Sequence, residues 1–350
     1  MADLGFLGGH NTEIGHLRHA LPPPGARVRL SSRAGGQPSG RRRGGSYPHA
    51  GDRDLCRLPR RTETTPRTRR KAPVMPAWFI TGCSTGLGRS LAEAVLARGY
   101  NAVVTARDPA TVGDLVQAHP DTALALGLDV TEQAQVTRAV RQAEERFGGV
   151  SVLVNNAGYG YRAAVEEGDD ADVRQLFGTH FFGAVALIKA VLPGMRSRRD
   201  GAIINISSIG ARTSQPGSGY YAAAKAALEG LSASLRKEVS PLGITVMVVE
   251  PGGFRTDFAG RSLQQSRAAI ADYADTAGKR RKENQSRHGT QPGDPAKAAQ
   301  AIITAVQAPE APALLVLGQD ALGSLRRVLD AQRAELDAWE PASLSTDFSG

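Results

Sequence analysis

The chain has 350 residues, 41% of them hydrophobic, which is enough for one large domain or two small ones with a sizeable core. Two cysteines cannot form a disulfide framework and fit a reducing compartment, so we expect a cytoplasmic protein. Neither the cysteines nor the seven histidines form a metal motif, and no apolar run approaches the roughly 18 residues of a membrane span. We therefore expect no metal requirement and no membrane span.

The net charge of +9 is unevenly distributed along the chain. Residues 1–74 contain 15 Lys and Arg against 5 Asp and Glu, a net charge of +10, which leaves 28 basic and 29 acidic residues in 75–350. The first segment is rich in Gly, Pro, Arg and Ser, and this composition predicts a disordered extension. It is a basic arm for nucleic acid or anionic surfaces, a targeting peptide, or upstream sequence translated from a misplaced start. We favour the last interpretation, with the true start near Met75, and disfavour nucleic-acid binding.

From Met75 onward, apolar runs of strand length alternate with helical patterns. Strands are predicted at 77–81, 101–106, 124–129, 150–155, 201–206, 244–250 and 313–317. Helices are predicted at 87–99, 132–147, 172–196, 220–240, 295–307 and 320–338. This alternation indicates βαβ units around a buried parallel sheet, so we predict a single α/β domain over 75–350 with a doubly wound sheet.

A glycine-rich loop joins the first predicted strand to the first helix. Glycines at this junction permit a tight turn and a close approach to a pyrophosphate, which the free N–H groups of the helix N-terminus would bind. The spacing Gly-x3-Gly-x-Gly differs from the common G-x-G-x-x-G fingerprint. The loop residues predicted to bind a cofactor are Gly82, Ser84, Thr85, Gly86, Leu87 and Gly88.

The end of the second predicted strand indicates the cofactor's phosphorylation state. A carboxylate there would bind a ribose 2′-hydroxyl, whereas an arginine suits a 2′-phosphate. The strand ends in Ala106, followed by Arg107 and Asp108. We therefore predict a preference for NADP(H) over NAD(H), with Asp108 either pairing with Arg107 or capping the next helix.

Ser208, Tyr221 and Lys225 have the spacing of a proton-transfer site. Tyr221 and Lys225 are one helical turn apart and share a helix face. An ammonium group near a phenol favours the phenolate and lowers a pKa that is ordinarily about 10. Ser208 would then hold a carbonyl oxygen while Tyr221 exchanges the proton. The neighbouring Ser207 and Tyr220 lack this spacing, and Tyr220 is interpreted as a packing or substrate-wall residue.

These motifs, together with Asn155-Asn-Ala-Gly158 and Pro251-Gly252-x3-Thr256 in the same order, resemble those of the short-chain dehydrogenases/reductases across residues 75–350. The resemblance implies a Rossmann-type domain with seven parallel strands. It also implies hydride transfer between a nicotinamide and a carbonyl or alcohol carbon, and a homodimer or homotetramer formed through the helices near 172–196 and 220–240. Cofactor contacts are implied for Asp129, Val130, Asn156, Ala157, Gly158, Tyr221, Lys225, Pro251, Gly252 and Thr256.

One position departs from the family pattern. His180 stands where the family usually has an asparagine that belongs to a proton relay. A histidine donates and accepts hydrogen bonds and titrates near neutral pH. We therefore expect His180 to preserve the relay, to alter its pH dependence, or to mark a weakened enzyme, which would be an NADP(H)-binding sensor or regulatory protein of the same fold.

The substrate side is less defined by the sequence. Residues 254–292 form a long stretch of the kind that often covers an active site. Its basic run Lys279-Arg-Arg-Lys282 either recognises an anionic substrate or is solvated. Tyr159, Tyr161 and Phe254 are candidates for an apolar pocket for a lipophilic carbonyl or alcohol. The segments Trp78-Phe-Ile-Thr-Gly82 and Thr256-Asp-Phe-Ala259 resemble the branch near retinol and 17β-hydroxysteroid dehydrogenases.

Overall fold

Seven short apolar strands form one parallel sheet in the computed structural model, which describes residues 75–286 and 289–348. The predicted disordered extension at 1–74 lies outside the described residues. The strands are β1 (Ala77–Ile80), β2 (Asn101–Ala106), β3 (Ala123–Gly127), β4 (Val152–Asn155), β5 (Gly160–Arg162), β6 (Gly201–Ile206), β7 (Ile244–Pro251), β8 (Leu263–Gln265) and β9 (Leu314–Leu317). The sheet order is β3-β2-β1-β4-β6-β7-β9, so the predicted doubly wound α/β fold is confirmed.

Helices connect the strands and cover both faces of the sheet. They are α1 (Gly86–Ala97), α2 (Gly113–Ala118), α3 (Gln133–Phe147), α4 (Asp170–Phe177), α5 (Gly183–Arg198), α6 (Gly210–Thr213), α7 (Gly219–Val239), α8 (Lys279–Ser286), α9 (Pro295–Gln307) and α10 (Gln319–Leu344). Short 3-10 turns lie at Pro109–Val112, Val165–Glu167, Ser240–Leu242, Asp257–Ala259 and Ala271–Tyr273. The last helix extends beyond the predicted 320–338.

The core has two layers because successive side chains of a strand point to opposite faces. On β1, Trp78 and Ile80 pack with Leu91 of α1 in one layer, which also contains α9. Phe79 faces the other way and packs with Leu187 of α5 in a layer that also contains α3 and α7. Both faces of the central strands are thus buried, which explains their nearly continuous apolar sequences.

The helix predicted at 172–196 is interrupted by one wide turn. A π-helical turn, Gly178–Phe182, separates α4 from α5. At its end Gly183 lies against Val130, and a Cβ at this glycine would come within 2.8 Å of the valine Cγ2. Single π-helical turns of this kind are frequent at functional sites. His180 lies in this turn and is buried.

The same helical stretch bears on membrane insertion. Asp170–Arg198 spans 29 residues, and an 18-residue window within it has a mean hydropathy of 1.5, so it meets the length and composition of a membrane span. We expected no apolar run of this length from the sequence, and by length and composition this stretch is one. Core helices also meet these criteria, and Leu187, Ile188 and Val191 of this stretch are buried in the layer beneath the sheet. The feature is weak support for a span.

The segment predicted as a long loop over 254–292 contains regular structure in its described part. Its strand β8 pairs in parallel with β5, and α8 follows. The buried carboxylate of Glu167 accepts hydrogen bonds from the backbone N–H groups of Ile270 and Ala164, both at 2.8 Å, and pairs with Arg281 at 2.5 Å. Arg281 of the basic run is therefore not simply solvated, and it ties the segment to the turn before α4.

Candidate active site

A cavity of about 770 Å³ opens where the carboxyl ends of the parallel strands meet. Crevices at this edge are the usual ligand sites of open α/β sheets. The cavity brings together every residue predicted for catalysis or cofactor binding except Gly88, which lies beneath the loop. The predicted residues lining it are Gly82, Ser84, Thr85, Gly86, Leu87, Arg107, Asp129, Val130, Asn156, Ala157, Gly158, His180, Ser208, Tyr221, Lys225, Pro251, Gly252 and Thr256.

The glycine-rich loop has the backbone shape that its sequence predicts. Gly82 and Gly86 have φ angles of +71° and +64°, a region that side chains disfavour. Thr85, the residue before α1, makes no side-chain capping bond, so the first N–H groups of the helix remain available to an anion. The Asn156 side chain supports the loop from behind, donating to the carbonyls of Thr81 at 2.8 Å and Gly82 at 3.1 Å.

At the far end of the cavity, Arg107 follows β2 and is exposed. Asp108 does not form an ion pair with it among the described residues. Its carboxylate instead accepts from the backbone N–H of Ala110 at 3.0 Å and caps the next turn. The carboxylate of Asp129 accepts from the N–H and hydroxyl of Thr131, at 3.0 and 2.7 Å. Arg107 is therefore the cation offered at this end.

Tyr221 and Lys225 lie on one face of α7, as their spacing predicts, and both are buried. The ammonium Nζ lies 5.9 Å from the centre of the tyrosine ring and donates to the carbonyl of Ile206 at 2.7 Å. Ser208 follows β6, its Oγ accepts from the N–H of Gly210 at 3.0 Å, and its hydroxyl acts to lower the pKa of Tyr221. The strand end and the helix thus assemble the three groups.

The residues next to this cluster have other partners. The Ser207 hydroxyl donates to Glu229 at 2.5 Å, and Glu229 pairs with Arg212, which also binds the fully buried Glu250. The Tyr220 hydroxyl donates to the carbonyl of Val165 at 2.6 Å. The hydroxyl groups of Ser207 and Tyr220 are therefore hydrogen-bonded to other residues, and neither belongs to the cluster of Ser208, Tyr221 and Lys225.

Comparison with known proteins identifies the family. Residues 77–267 match the family model of the short chain dehydrogenases. The chain belongs to this family. It is similar to the oxidoreductase BOA17 of Botryotinia fuckeliana, with 37% identity over 77% of this chain and 98% of that protein. Among solved structures, it resembles a short-chain dehydrogenase from Streptomyces avermitilis, with 44% identity, a TM-score of 0.75 and coverage of 79% and 100% of the two chains.

A second solved structure, ElxO with NADP bound, has 25% identity and a TM-score of 0.59, and covers 71% of this chain and 99% of its own. Together with the parallel sheet, these matches show that the protein is a short-chain dehydrogenase, a member of the oxidoreductase class. The family resemblance expected from its motifs is confirmed.

In this short-chain dehydrogenase, the charges near Tyr221 differ from the sequence expectation. Burial raises the pKa of Tyr221, while the hydrogen bond from Ser208 and the charge of Arg162 act in the opposite direction. Lys225 was predicted to lower this pKa, but its ammonium is directed to the carbonyl of Ile206. Burial lowers the pKa of Lys225 itself to about 7, against the opposing charge of Glu229. The cation acting on Tyr221 is Arg162, which sequence reasoning missed.

The buried Lys225 predicts a pH dependence of stability. Its pKa is about 7 in the folded protein and near 10.5 when exposed, so between these values the unfolded chain binds more protons. The free energy of unfolding without cofactor is therefore expected to rise with pH above 7, by at most about 1.4 kcal/mol per unit. Urea titrations of the wild type and Lys225→Met at pH 7, 8 and 9 measure this pH dependence of the free energy of unfolding. An unchanged pH slope in the variant would contradict the assignment.

His180 does not titrate near neutral pH as its residue type suggested. Burial and the charge of Lys225 hold the His180 pKa well below 6.5, so the ring is neutral. Its Nε2 lies 3.1 Å from the nitrogen and 2.8 Å from the oxygen of the Tyr159 backbone, and its Nδ1 is buried with no hydrogen-bond partner among the described residues. The ring stands edge-on to Tyr221 at 5.5 Å between centroids.

A small cavity of about 10 Å³ lies between His180, Lys225 and Asn155. This volume is about that of one water probe, and the three side chains supply polar partners. A neutral imidazole can therefore take part in a hydrogen-bonded path behind Lys225, but it does not carry a proton as imidazolium at pH 7.

The substrate side of the cavity differs in part from the predicted pocket. Tyr159 and Phe254 line it as expected, but the Tyr161 ring is buried away from it, with its hydroxyl 3.4 Å from Asp172. Phe258 takes part instead, with its ring centre 5.8 Å from that of Tyr221. A basic residue inside the apolar run 160–164 was the one sequence signal for Arg162, which also lines this side.

Proposed function

We propose that the protein is an NADP(H)-dependent dehydrogenase or reductase that transfers a hydride between the cofactor and a carbonyl or alcohol carbon of a small, largely apolar substrate. The observation that carries this proposal is the continuity of one cavity from Arg107, past the glycine-rich loop, to Ser208, Tyr221 and Lys225. An anion site and a proton-transfer site share one space, as hydride transfer to a carbonyl requires.

The lining of the cavity fits a nicotinamide dinucleotide. The side-chain-free turn at Gly82 and Gly86 and the uncapped start of α1 suit a pyrophosphate. Asp129 and Val130 would lie along the adenosine, and Thr256 and Pro251 near the nicotinamide. The cofactor supplies or accepts the hydride when bound. NADP bound to the related structure ElxO supports a nicotinamide dinucleotide as the cofactor, and the preference for NADP(H) rests on Arg107.

The chain's own residues would handle orientation and the proton. Ser208 would hold the carbonyl oxygen with its hydroxyl, and Tyr221 would give its proton to that oxygen in reduction or accept it in oxidation. The positive charge of Arg162 favours the phenolate of Tyr221. Lys225 would bind cofactor ribose hydroxyls, and the burial of the cluster keeps bulk water from the reacting groups.

A screen of ketones, aldehydes and alcohols with both NADPH/NADP+ and NADH/NAD+ tests the function. We expect oxidation of NADPH with at least one lipophilic ketone or aldehyde, followed by absorbance at 340 nm (a standard probe of the reduced nicotinamide). Cofactor binding without turnover over the whole panel would contradict the enzyme and favour the sensor interpretation.

The cofactor preference has its own test. Arg107→Asp is expected to weaken NADPH binding by about 10- to 100-fold, because a charge-assisted contact worth about 1.5–3 kcal/mol is lost, and to improve the use of NADH. Arg138→Asp, a charge change of equal size at an exposed position of α3, is the control and should leave both constants unchanged. Dissociation constants from fluorescence titration measure the effect. An unaltered NADPH/NADH ratio in Arg107→Asp would mean that Arg107 is only a surface charge.

Further properties follow from the family pattern as proposals. We propose a homodimer or homotetramer formed through α4–α5 and α7, supported by Phe182, an apolar side chain at the end of the π-helical turn before α5 that is 62% exposed. We also propose a cytoplasmic location, supported by the cysteine usage, and a single domain over 75–350. The relation to the retinol and 17β-hydroxysteroid branch stays a prediction.

A further inference from the structure

A buried arginine lies on the substrate side of the cavity. Arg162, at the end of β5, is only 7% exposed and lines the cavity with Tyr221. One guanidinium nitrogen, Nη1, donates to the carbonyl of Tyr161 at 3.1 Å, and Nε is buried with no hydrogen-bond partner among the described residues. Buried cations are ordinarily paired with an anion, because removing a charge from water is costly.

No carboxylate of the described residues compensates Arg162. It takes part in none of their ion pairs, and burial lowers its pKa to about 10, with the charge of Arg280 acting in the same direction. The one group that raises its pKa is the phenol of Tyr221. The guanidinium is thus held in place beside the catalytic phenol without a counter-ion.

The other charges along the cavity leave an excess of positive charge on this side. Arg280 of α8 also lines the cavity, and its Nε is buried without a hydrogen-bond partner, although a terminal nitrogen lies 3.5 Å from Glu283. By contrast, Arg261 pairs with Asp257 at 3.0 Å, and the carboxylate of Asp320 accepts from the N–H of Gly253 at 2.8 Å. Two cations therefore face the substrate space. Arg162 has no acidic partner among the described residues, and Arg280 has Glu283.

We infer that the substrate carries an anionic group, a carboxylate, on the same molecule as the reacting carbonyl or alcohol, and that Arg162 binds it with help from Arg280. This inference rests on the proposed function, since it names the substrate class of the same site. The planar guanidinium suits a carboxylate with two parallel hydrogen bonds, and the aromatic lining of Tyr159 and Phe258 suits the apolar part between the two groups.

A purely structural arginine would behave differently. Its bond to the Tyr161 carbonyl supports β5, and its charge favours the Tyr221 phenolate, so either role affects charged and neutral substrates equally. Binding of a substrate anion makes the effect depend on the substrate's charge. The comparison of a carboxylate with its methyl ester isolates that dependence.

The test uses linear oxo acids of the form CH3CO(CH2)nCOO⁻, with n from about two to six to span the cavity, and 4-acetylbenzoate, each beside its methyl ester. In the wild type, kcat/KM for at least one oxo acid is expected to exceed that of its ester by at least about tenfold. Arg162→Met is expected to lower kcat/KM for both compounds, because its charge also favours the Tyr221 phenolate, but to lower it for the acid by about 10- to 100-fold more than for the ester. Arg162→Lys, which keeps the charge, should retain part of the preference for the acid.

Further variants keep the outcome decisive if Arg162→Met fails to fold. Arg280→Ala is expected to lower the acid preference about threefold to tenfold, and Lys282→Ala, an exposed position on the same helix, should leave it unchanged. Equal rates with acids and esters in the wild type, or equal losses for both in Arg162→Met, would overturn the inference while leaving the proposed function intact. If no carbonyl is turned over, calorimetric titration of the cofactor-loaded protein with the same acids and esters decides it, and binding no tighter for the acids would overturn it.

Discussion

Tyr221→Phe is expected to lower kcat for carbonyl reduction by about 10²- to 10⁴-fold while leaving the dissociation constant for NADPH within about threefold of the wild type. The substitution removes only the hydroxyl, so the buried ring still fills its place between His180 and Phe258. The developing alkoxide then has no proton donor within the cluster, because Ser208 offers a hydroxyl with a far higher pKa. The affinity for the cofactor is expected to depend chiefly on the loop and Lys225, which this substitution leaves unaltered.

The adjacent tyrosine supplies a matched control. Tyr220→Phe also removes one phenolic hydroxyl, but that hydroxyl donates to the carbonyl of Val165 rather than facing Ser208. It is expected to change kcat less than threefold and to lower the melting temperature slightly, since one hydrogen bond is worth about 1 kcal/mol. Steady-state kinetics of both variants decide the matter. Full activity in Tyr221→Phe, or an equal loss in both variants, would refute the role of Tyr221.

The fold was predictable because its signals are local and repeated. Strands buried on both faces require continuous apolar runs, and the helices between them show their own period, so β1 to β4 and β6, β7 and β9 could be read from the sequence. The glycine-rich loop was predictable for a similar reason, since positive φ at Gly82 and Gly86 restricts the residue type. The spacing of Tyr221 and Lys225 placed them on one face of a helix.

The rest of the site depends on contacts that no local pattern encodes. Pairing of β5 with β8 joins residues about a hundred positions apart, and this pairing brings Arg162 to the cavity. The π-helical turn that buries His180 has no periodic signal strong enough to predict. The neutral state of the His180 ring follows from its burial and from the charge of the nearby Lys225, and neither can be inferred from the residue type. For the same reason, the sequence could not show that burial raises the Tyr221 pKa or that the cation lowering it is Arg162.

The charge of Arg162 favours ionisation of the Tyr221 phenol despite its burial. Burial alone would hold Tyr221 protonated, which suits a proton donor in reduction but hinders oxidation. The guanidinium of Arg162 stays charged throughout the neutral range, whereas Lys225 loses its proton near pH 7. Above neutral pH, formation of the Tyr221 phenolate therefore depends more on the charge of Arg162 than on that of Lys225.

Gly88→Ala is expected to weaken NADPH binding by about 100-fold or more and to lower the melting temperature. Gly88 does not line the cavity, but a Cβ at this position would overlap the carbonyl oxygen of Gly82 and the side-chain nitrogen of Asn156, and would lie 3.1 Å from the Gly82 carbonyl carbon. Neither group can yield freely, because Asn156 donates to the carbonyls of both Thr81 and Gly82. Overpacking of this kind costs about 1–3 kcal/mol, and here it displaces the loop that would bind the pyrophosphate.

Gly230→Ala separates this effect from the general consequences of adding a methyl group to a helix. Gly230 lies on the exposed side of α7, where a Cβ would meet no atom within 4 Å. The control is therefore expected to bind NADPH normally and to gain about 0.5–1 kcal/mol of stability, because alanine restricts the unfolded chain. Cofactor titration and thermal unfolding of both variants measure the difference. Normal NADPH affinity in Gly88→Ala would mean that the close contact of α1 with the loop does not position the cofactor site, and the phosphate-binding role of the loop would then rest on Gly82 and Gly86 alone.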